Sequence, residues 1–171
     1  EQFETITGNP YVSPHARTSA GSPTELPKPS FGNLAYSPHF YDASVILFKS
    51  WSGVEPDAAF QLMNDTAAAW GAPLFLGEFG APATTQEANP YMRTLFRHLD
   101  DHLSSGAQWV HTPGWTEIAK DGWNDEDFSI VAGGGPRDNF LVRCAPRAIA
   151  GLPTSFHVEP SDTAEASTAT L

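Results

Sequence analysis

The chain has 171 residues, of which 40% are hydrophobic and 12% aromatic, enough for one domain with a buried core. Its formal net charge of -11, with nine Lys and Arg against twenty Asp and Glu, excludes nucleic acid and anionic membrane surfaces as electrostatic partners. No apolar run approaches the roughly 18 residues of a membrane span, and the single cysteine, Cys144, excludes an intrachain disulfide.

The chain opens with a loop-rich lead-in, residues 1–33, dense in Pro, Ser, Gly and Thr. A loop this long in a compact domain is either functional or a sign that structure is missing before it. Residues 34–41 then predict a short strand that Pro38 stops or bends. This strand delivers three polar side chains to its end: His39, Tyr41 and Asp42.

A helix is predicted next, because Pro56 suits a first helical turn and Gly71 suits a helix end. Its apolar residues recur at helical spacing and form one face: Ala59, Phe60, Met63, Ala67 and Trp70. A second helix is predicted to start at Asn89–Pro90, with Asn as the cap, and to end at Gly106. Its buried stripe consists of Tyr91, Leu95, Leu99 and Leu103.

Between these helices lies a short apolar run, residues 74–76, which predicts a buried strand ending at Glu78. A carboxylate at the end of a buried strand carries a desolvation cost and needs a reason to be there. One interpretation is a catalytic acid at the mouth of an α/β barrel. The alternative is a loop residue that pairs with a nearby cation.

A third strand is predicted at Ala107–Thr112, with Trp109 and His111 on one face. The order strand, helix, strand, helix, strand is typical of βαβ units with a parallel sheet. Right-handed crossovers would bring the strand ends to one side of that sheet. We therefore expect Glu78 to meet the first strand's His39 and Tyr41 and a tryptophan of the third, either Trp109 or Trp115.

The loop that follows, residues 114–127, places tryptophans among carboxylates and an amide: Trp115, Trp123 and Asn124. Flat rings stack on sugar faces while polar groups bind hydroxyls, so the loop suits carbohydrate binding. The alternative is an acidic surface loop whose tryptophans pack down on the barrel.

The C-terminal third carries fewer signals. Residues 133–136 (Gly-Gly-Gly-Pro) predict a turn, and 140–142 form a further apolar segment that precedes Cys144, expected to be a small buried residue. Residues 151–158 are expected to open a strand of a following module, and Ser161 to begin a loose tail. The predicted division is therefore a lead-in at 1–33, a partial barrel at 34–145, and the start of a β-module or linker with a disordered tail at 146–171.

Four segments occur in an order and spacing that resemble one enzyme family: SPHFYD (37–42), LGEFGAP (76–82), DGWNDEDFSIV (121–131) and VRCAPRAIAGLPTSF (142–156). Over most of residues 34–158 the chain resembles the C-terminal part of glycoside hydrolase family 5, the cellulase-like family, and specifically its endoglycoceramidase-related branch. The resemblance implies a (β/α)8 barrel that hydrolyses β-glycosidic bonds with retention, using two carboxylates roughly 5 Å apart.

Residue by residue, the resemblance implies that Glu78 is the nucleophile and that Tyr41 hydrogen-bonds it, holding it ionised and aimed. It implies that His39 helps to shape the sugar subsite. Trp109 is the first candidate for the tryptophan that floors the glycone subsite, and Trp115 is the second.

One departure from the family pattern has large consequences. The family's acid/base carboxylate lies between Asn and Pro, and no Asn-Glu-Pro occurs in this chain. A full barrel needs about 250 residues, so residues 34–112 are expected to supply only strands six to eight. We therefore expect a fragment that is inactive alone and whose partner is the N-terminal part of the barrel.

Two other functions stay open. A non-catalytic carbohydrate-binding or interaction remnant would keep the aromatic loop and lose hydrolysis. A zinc hydrolase would use His98 and His102, which lie four residues apart on one helix, but Leu99 stands where such a motif needs its general base. We expect no cofactor, no resident metal and a β-glycoside substrate, either an oligosaccharide or a glycolipid. Enzymes of the family that the chain resembles include secreted ones, which leaves the localisation of this protein open.

Overall fold

A computed structural model describes residues 27–122, 125–159 and 168–170. In chain order its elements are β1 (His39–Phe40), α1 (Ala43–Phe48), α2 (Asp57–Trp70), β2 (Phe75–Phe79), α3 (Ala88–Asp101), β3 (Ser105–Gln108), β4 (Val131–Ala132), β5 (Gly135–Pro136), β6 (His157–Glu159) and β7 (Thr168–Thr170). No helix among the described residues is long and apolar enough to cross a membrane.

The central feature is a parallel sheet with strand order β1-β2-β3. His39 pairs with Glu78 in register, and an isolated bridge between Tyr36 and Leu74 extends the pairing backwards past Pro38. Helices α1 and α2 connect β1 to β2, and α3 connects β2 to β3. The predicted βαβαβ order is therefore confirmed, as three consecutive strands of a partial (β/α)8 barrel.

The core lies between this sheet and the buried faces of α2 and α3. Both predicted helix faces are confirmed for most of their residues, although Leu103 is exposed and Trp70 only packs against the core from its edge. The buried cluster that joins sheet and helices includes Phe40, Phe60, Leu76, Phe79, Tyr91 and Leu95.

Helix α1 was not predicted. Its cap is Asp42, whose carboxylate accepts hydrogen bonds from the backbone N–H groups of Ser44 (2.8 Å) and Val45 (3.3 Å). Asp42 therefore begins a helix directly after β1, and its backbone N–H donates to the Tyr91 hydroxyl at 3.2 Å.

The predicted bounds of α3 are wrong at both ends. The helix begins at Ala88 with Glu87 as the cap residue, and Asn89 accepts a hydrogen bond from Arg93 instead of capping the helix. The helix ends at Asp101, because Leu103 has a left-handed backbone (φ 49°).

The third strand is likewise displaced from its predicted position. Strand β3 covers Ser105–Gln108, so Gly106, predicted to end the helix, lies in the sheet. A Cβ there would lie 2.9 Å from the Phe79 ring, which explains a glycine at this position. Trp109 follows the strand, and His111 lies beyond it.

Toward the C-terminus, β4 and β5 form a hairpin whose turn is Gly133–Gly134, both with positive φ. The predicted turn at 133–136 is thus confirmed for its first half, while Gly135–Pro136 form strand β5. Strand β6 pairs antiparallel with β7 and packs against α3. Residues 168–170 therefore form a strand where the sequence predicts a loose tail. Leu141 is buried, and Cys144 is half-buried instead of fully buried.

Candidate active site

Glu78 lies in β2 beside the end of β1, and its side chain is 19% exposed. The Tyr41 hydroxyl donates a hydrogen bond to Glu78 Oε2 at 3.1 Å. His39 Nδ1 lies 3.4 Å from the same oxygen, but it makes no hydrogen bond there. The structure thus brings together the three residues that the sequence analysis grouped at the strand ends.

Burial, followed by the negative charge of Glu78 and the hydrogen bond to it, raises the pKa of Tyr41 far above its ordinary value. The phenol therefore keeps its proton at neutral pH, and it stays a donor to the carboxylate. This arrangement fixes the direction of one carboxylate oxygen.

Two glycines flank Glu78 because neighbouring groups occupy the space of a side chain. A Cβ on Gly77 would lie 2.6 Å from Ser37 Oγ and 3.1 Å from the His39 ring. A Cβ on Gly80 would lie 2.5 Å from the backbone oxygen of Trp109. The glycines therefore allow both His39 and the Trp109 backbone to approach the strand that carries Glu78.

Trp109 directly follows β3, and its backbone N–H donates to Phe79 O at 2.9 Å. Its indole Nε1 donates to Glu126 Oε2 at 3.2 Å. Burial raises the pKa of Glu126, the hydrogen bond from Trp109 lowers it, and the charges of Asp121 and Glu78 raise it further. Glu126 thus lies within electrostatic range of Glu78.

Sequence reasoning missed Glu126, although the acidic loop that contains it was noted. A second missed residue is Asn139, which is fully buried. Its Nδ2 donates to Ala81 O at 2.8 Å and Phe128 O at 2.9 Å, so it ties the loop after β2 to the loop after β3. Neither partner is near Asn139 in sequence, which is why no local pattern indicates its role.

Trp115 has a different environment. The Arg137 guanidinium lies 4.1 Å from the centre of its ring, and the Lys120 ammonium lies 5.5 Å from it. These cations anchor the ring within the loop that follows β3. The other two predicted binding residues, Trp123 and Asn124, lie outside the described residues.

The two histidines of the zinc alternative face the core. The His98 ring stacks on Phe60 with a centroid distance of 4.7 Å, and its Nε2 lies 3.3 Å from Glu55. The His102 ring is nearly parallel to the same phenyl ring at 6.5 Å. In the described ranges, no group of three or more His, Cys, Asp or Glu side chains is arranged to hold a metal ion.

A cavity lies away from the Glu78 cluster. A cavity of about 390 Å³ lies between α3, residues 141–143 and β6, and its lining includes none of Glu78, Tyr41 and His39. The Glu78 cluster is recognised by its side-chain chemistry and its position at the strand ends.

A family model described as cellulase (glycosyl hydrolase family 5) matches residues 5–114, well over half of the chain. The chain belongs to glycosyl hydrolase family 5. This assigns the partial barrel and its strand-end cluster to a glycoside hydrolase fold. A search among curated proteins found no match.

Solved structures with a similar fold include three of endo-glycoceramidase II from Rhodococcus sp. The cellobiose-like imidazole complex has a TM-score of 0.54 at 20% identity and is matched over 84% of this chain and 31% of its own. The lactosyl-enzyme intermediate has a TM-score of 0.53 at 22% identity, and the match covers 84% of this chain and 30% of its own. The ganglioside GM3 complex has a TM-score of 0.53 at 20% identity, and the match covers 84% of this chain and 31% of its own. This family 5 chain therefore spans less than a third of those structures, and the likeness concerns the fold.

Proposed function

We propose that this chain carries the nucleophile half of a retaining β-glycosidase, with Glu78 as the nucleophile. The observation that supports this role is the contact of Tyr41 and His39 with one oxygen of Glu78 at the carboxyl ends of adjacent strands. Catalytic groups of (β/α)8 barrels lie at that end of the strands.

The geometry suits attack on an anomeric carbon. The Tyr41 hydroxyl and the His39 ring both lie beside Oε2, so Oε1 would be the oxygen that meets the sugar. A carboxylate nucleophile forms a covalent glycosyl-enzyme, which water then hydrolyses. Trp109, placed next to the strand by its bond to Phe79 O, would form the floor of the glycone subsite, with Trp115 as the second candidate.

The proposed substrate is a β-glycoside, either an oligosaccharide or a glycolipid. The solved relatives include complexes with a cellobiose-like imidazole and with ganglioside GM3. Retention needs a second carboxylate as acid/base, and the chain contains no Asn-Glu-Pro segment that would supply the family's residue. We propose that the first five strands of the barrel provide it, and that residues 146–171 begin a β-module to which β6 and β7 belong.

Activity of an assembled barrel tests this proposal. The chain alone is expected to give no turnover of an activated aryl β-glucoside, whereas addition of a segment that supplies strands one to five should produce turnover. Glu78→Gln should abolish it, and Tyr41→Phe should lower kcat/KM by about 10- to 100-fold, the effect of losing one hydrogen bond to a charged group.

Labelling with a 2-fluoro-β-glycoside that carries a good leaving group identifies the nucleophile directly, because the glycosyl-enzyme then accumulates. Peptide mass mapping of the assembled barrel should place the label on Glu78. Glu117→Gln changes an exposed carboxylate of the chain and serves as the matched control that keeps its label. Full turnover by Glu78→Gln would refute the assignment.

The non-catalytic binding remnant is the second candidate. The turnover assay of the assembled barrel distinguishes the two functions. A barrel that binds a glycoside without ever cleaving it would favour the binding remnant.

A further inference from the structure

The loop that contains Glu126 is held in place on both sides of that residue. The Asp121 carboxylate accepts hydrogen bonds from the backbone N–H groups of Phe128 (2.6 Å) and Ser129 (3.1 Å). Asp127 forms an ion pair with Arg137 at 2.6 Å, and both side chains are more than four-fifths buried. Glu126 thus stands between two anchored carboxylates, which restricts its position.

The same loop contacts the proposed nucleophile's partner. The Phe128 ring packs edge-on against the Tyr41 ring, with centroids 5.8 Å apart. The backbone of Val110 also joins the loop, donating to Phe128 O at 3.3 Å and accepting from Ile130 N at 2.9 Å. The segment that carries Glu126 therefore contacts Tyr41 through the Phe128 ring. It is also held beside Trp109 by backbone hydrogen bonds to Val110, the next residue.

The indole of Trp109 needs an anchor of its own. Hydrogen bonds fix its backbone to β2, but they leave its two side-chain dihedral angles free. In the part of the chain that the structure describes, the hydrogen-bond partner of Nε1 is Glu126. A sugar platform works only if its plane is fixed before the sugar arrives.

We infer that Glu126 is a positioning residue that holds the Trp109 indole in the orientation required for the glycone subsite. This inference rests on the proposed function, because that function gives the indole its role in sugar binding. The hydrogen bond between Trp109 and Glu126 does not depend on it. A carboxylate in this place makes the bond charge-assisted and therefore stronger than one to a neutral acceptor.

The charges around Glu126 make that bond sensitive to pH. Asp121 and Glu78 disfavour its ionised form, Lys49 favours it, and Tyr41 stands nearby as a neutral donor to Glu78. Burial is the largest effect and raises the pKa of Glu126 above its ordinary value, although the hydrogen bond from Trp109 lowers it. As the pH falls, Glu126 should take up a proton earlier than an exposed glutamate, and the bond to Trp109 should weaken.

Nuclear magnetic resonance of the whole chain can test this. The chain has five tryptophans, and Trp109→Phe identifies the indole N–H signal of Trp109. In the wild type this signal should move upfield as the pH falls through the titration of Glu126. Glu126→Gln should remove the movement and hold the signal near its acid position in the wild type, because the acceptor is neutral in both. Glu126→Leu should shift the signal upfield at every pH.

The matched control is Glu117→Gln, an exposed carboxylate that pairs only with Lys120 among the described residues and should leave the titration unchanged. An unaltered titration in Glu126→Gln, or an unmoved signal in Glu126→Leu, would overturn the inference. The Gln variant keeps an acceptor of the same size, so a folding defect in the Leu variant does not decide the result.

Kinetics of the assembled barrel supply a second readout. Glu126→Gln should retain kcat/KM within a few-fold, whereas Glu126→Leu should lower it by at least about tenfold, mostly by raising KM, as expected for loss of a binding surface. Equal losses in both variants would assign Glu126 a charge-dependent role in place of a positioning one. If no assembled barrel is active, the proposed function fails while the indole titration still tests the contact.

Discussion

At the scale of single residues, the site depends on small side chains as much as on functional ones. Gly77 and Gly80 lie on either side of Glu78 in the sequence. In the structure each leaves room for a neighbour, the His39 ring in one case and the Trp109 carbonyl in the other. The sequence GEFG thus encodes a carboxylate together with the space that its partners need.

This steric role predicts the effect of Gly77→Ala. The added methyl group would lie 2.6 Å from Ser37 Oγ and 3.1 Å from the His39 ring, so these side chains or the strands that carry them must shift. Overpacking of this kind typically costs about 1–3 kcal/mol of unfolding free energy. Urea unfolding measures the change.

Gly114→Ala is the matched control, because nothing lies within 4 Å of its added Cβ, and it should be close to neutral. Ser37→Ala should recover part of the loss in the Gly77→Ala background. Equal stability of the two glycine variants would contradict the steric explanation.

The triad of His39, Tyr41 and Glu78 could be predicted because all three lie within one residue of a strand end. Strand ends of a parallel sheet share one edge. Glu126 and Asn139 could not be predicted in the same way. Glu126 reaches Trp109 across 17 residues, and Asn139 reaches Ala81 across 58. The tertiary fold brings loop residues into such contacts, and the spacing of residue types along the sequence does not indicate them.

At the scale of elements, the apolar spacing of α2 and α3 predicted which faces are buried, while the helix ends were less predictable. Asn89 and Pro90 form a standard start signal, yet the helix begins two residues earlier, at Ala88, with Glu87 as the cap in a left-handed conformation (φ 59°). A cap depends on where the preceding loop enters, and that loop is fixed by backbone pairing between Gln86 and Lys49.

Helix α3 is also joined to the C-terminal segment by a buried ion pair. Arg143 Nη2 donates to both oxygens of Asp100, at 2.6 and 2.8 Å, and the two side chains are 13% and 7% exposed. Arg143 also lies over the Phe96 ring at 4.7 Å. Removing one partner of a buried pair leaves the other charge uncompensated.

We therefore predict that Arg143→Met lowers the unfolding free energy at neutral pH by about 3–5 kcal/mol. Burial already raises the pKa of Asp100, and Arg143 counteracts this effect, so the variant should have a still higher Asp100 pKa. A raised carboxyl pKa means that folding stability falls as the pH rises from the unfolded value through the folded one. The variant should thus recover part of its loss in acid, where Asp100 is protonated.

Urea titrations at neutral pH and at about pH 4, near the ordinary Asp value, check this dependence. The matched control is Arg97→Met, because Arg97 is on the same helix as Asp100 and pairs with Glu55, which precedes α2, and both side chains of this pair are half-exposed. An exposed pair contributes about 0–1 kcal/mol, so this variant should change little. A loss in Arg143→Met no larger than in Arg97→Met would contradict the prediction.

At the scale of the whole molecule, the sheet is an open part of a closed architecture. A complete (β/α)8 barrel has no edge strands, because each strand pairs with two neighbours. Within the described ranges β1 and β3 each pair with β2 alone. The sequence predicted this openness from length and motif order, since residues 34–112 contain three strand signals where the fold needs eight.

Edge pairing gives a prediction that does not depend on catalysis. The outward backbone groups of β1 and β3 would bond to barrel strands five and one, so an added segment with strands one to five should protect those amides. Hydrogen exchange of His39–Phe40 and Ser105–Gln108 should therefore slow by at least about tenfold on assembly, because each newly bonded amide must open before it exchanges. Core amides of α2, such as Phe60 and Met63, already bond within their helix and serve as the internal reference. Protection confined to α2, or restored turnover without slower exchange at either edge, would contradict closure of the barrel through these two strands.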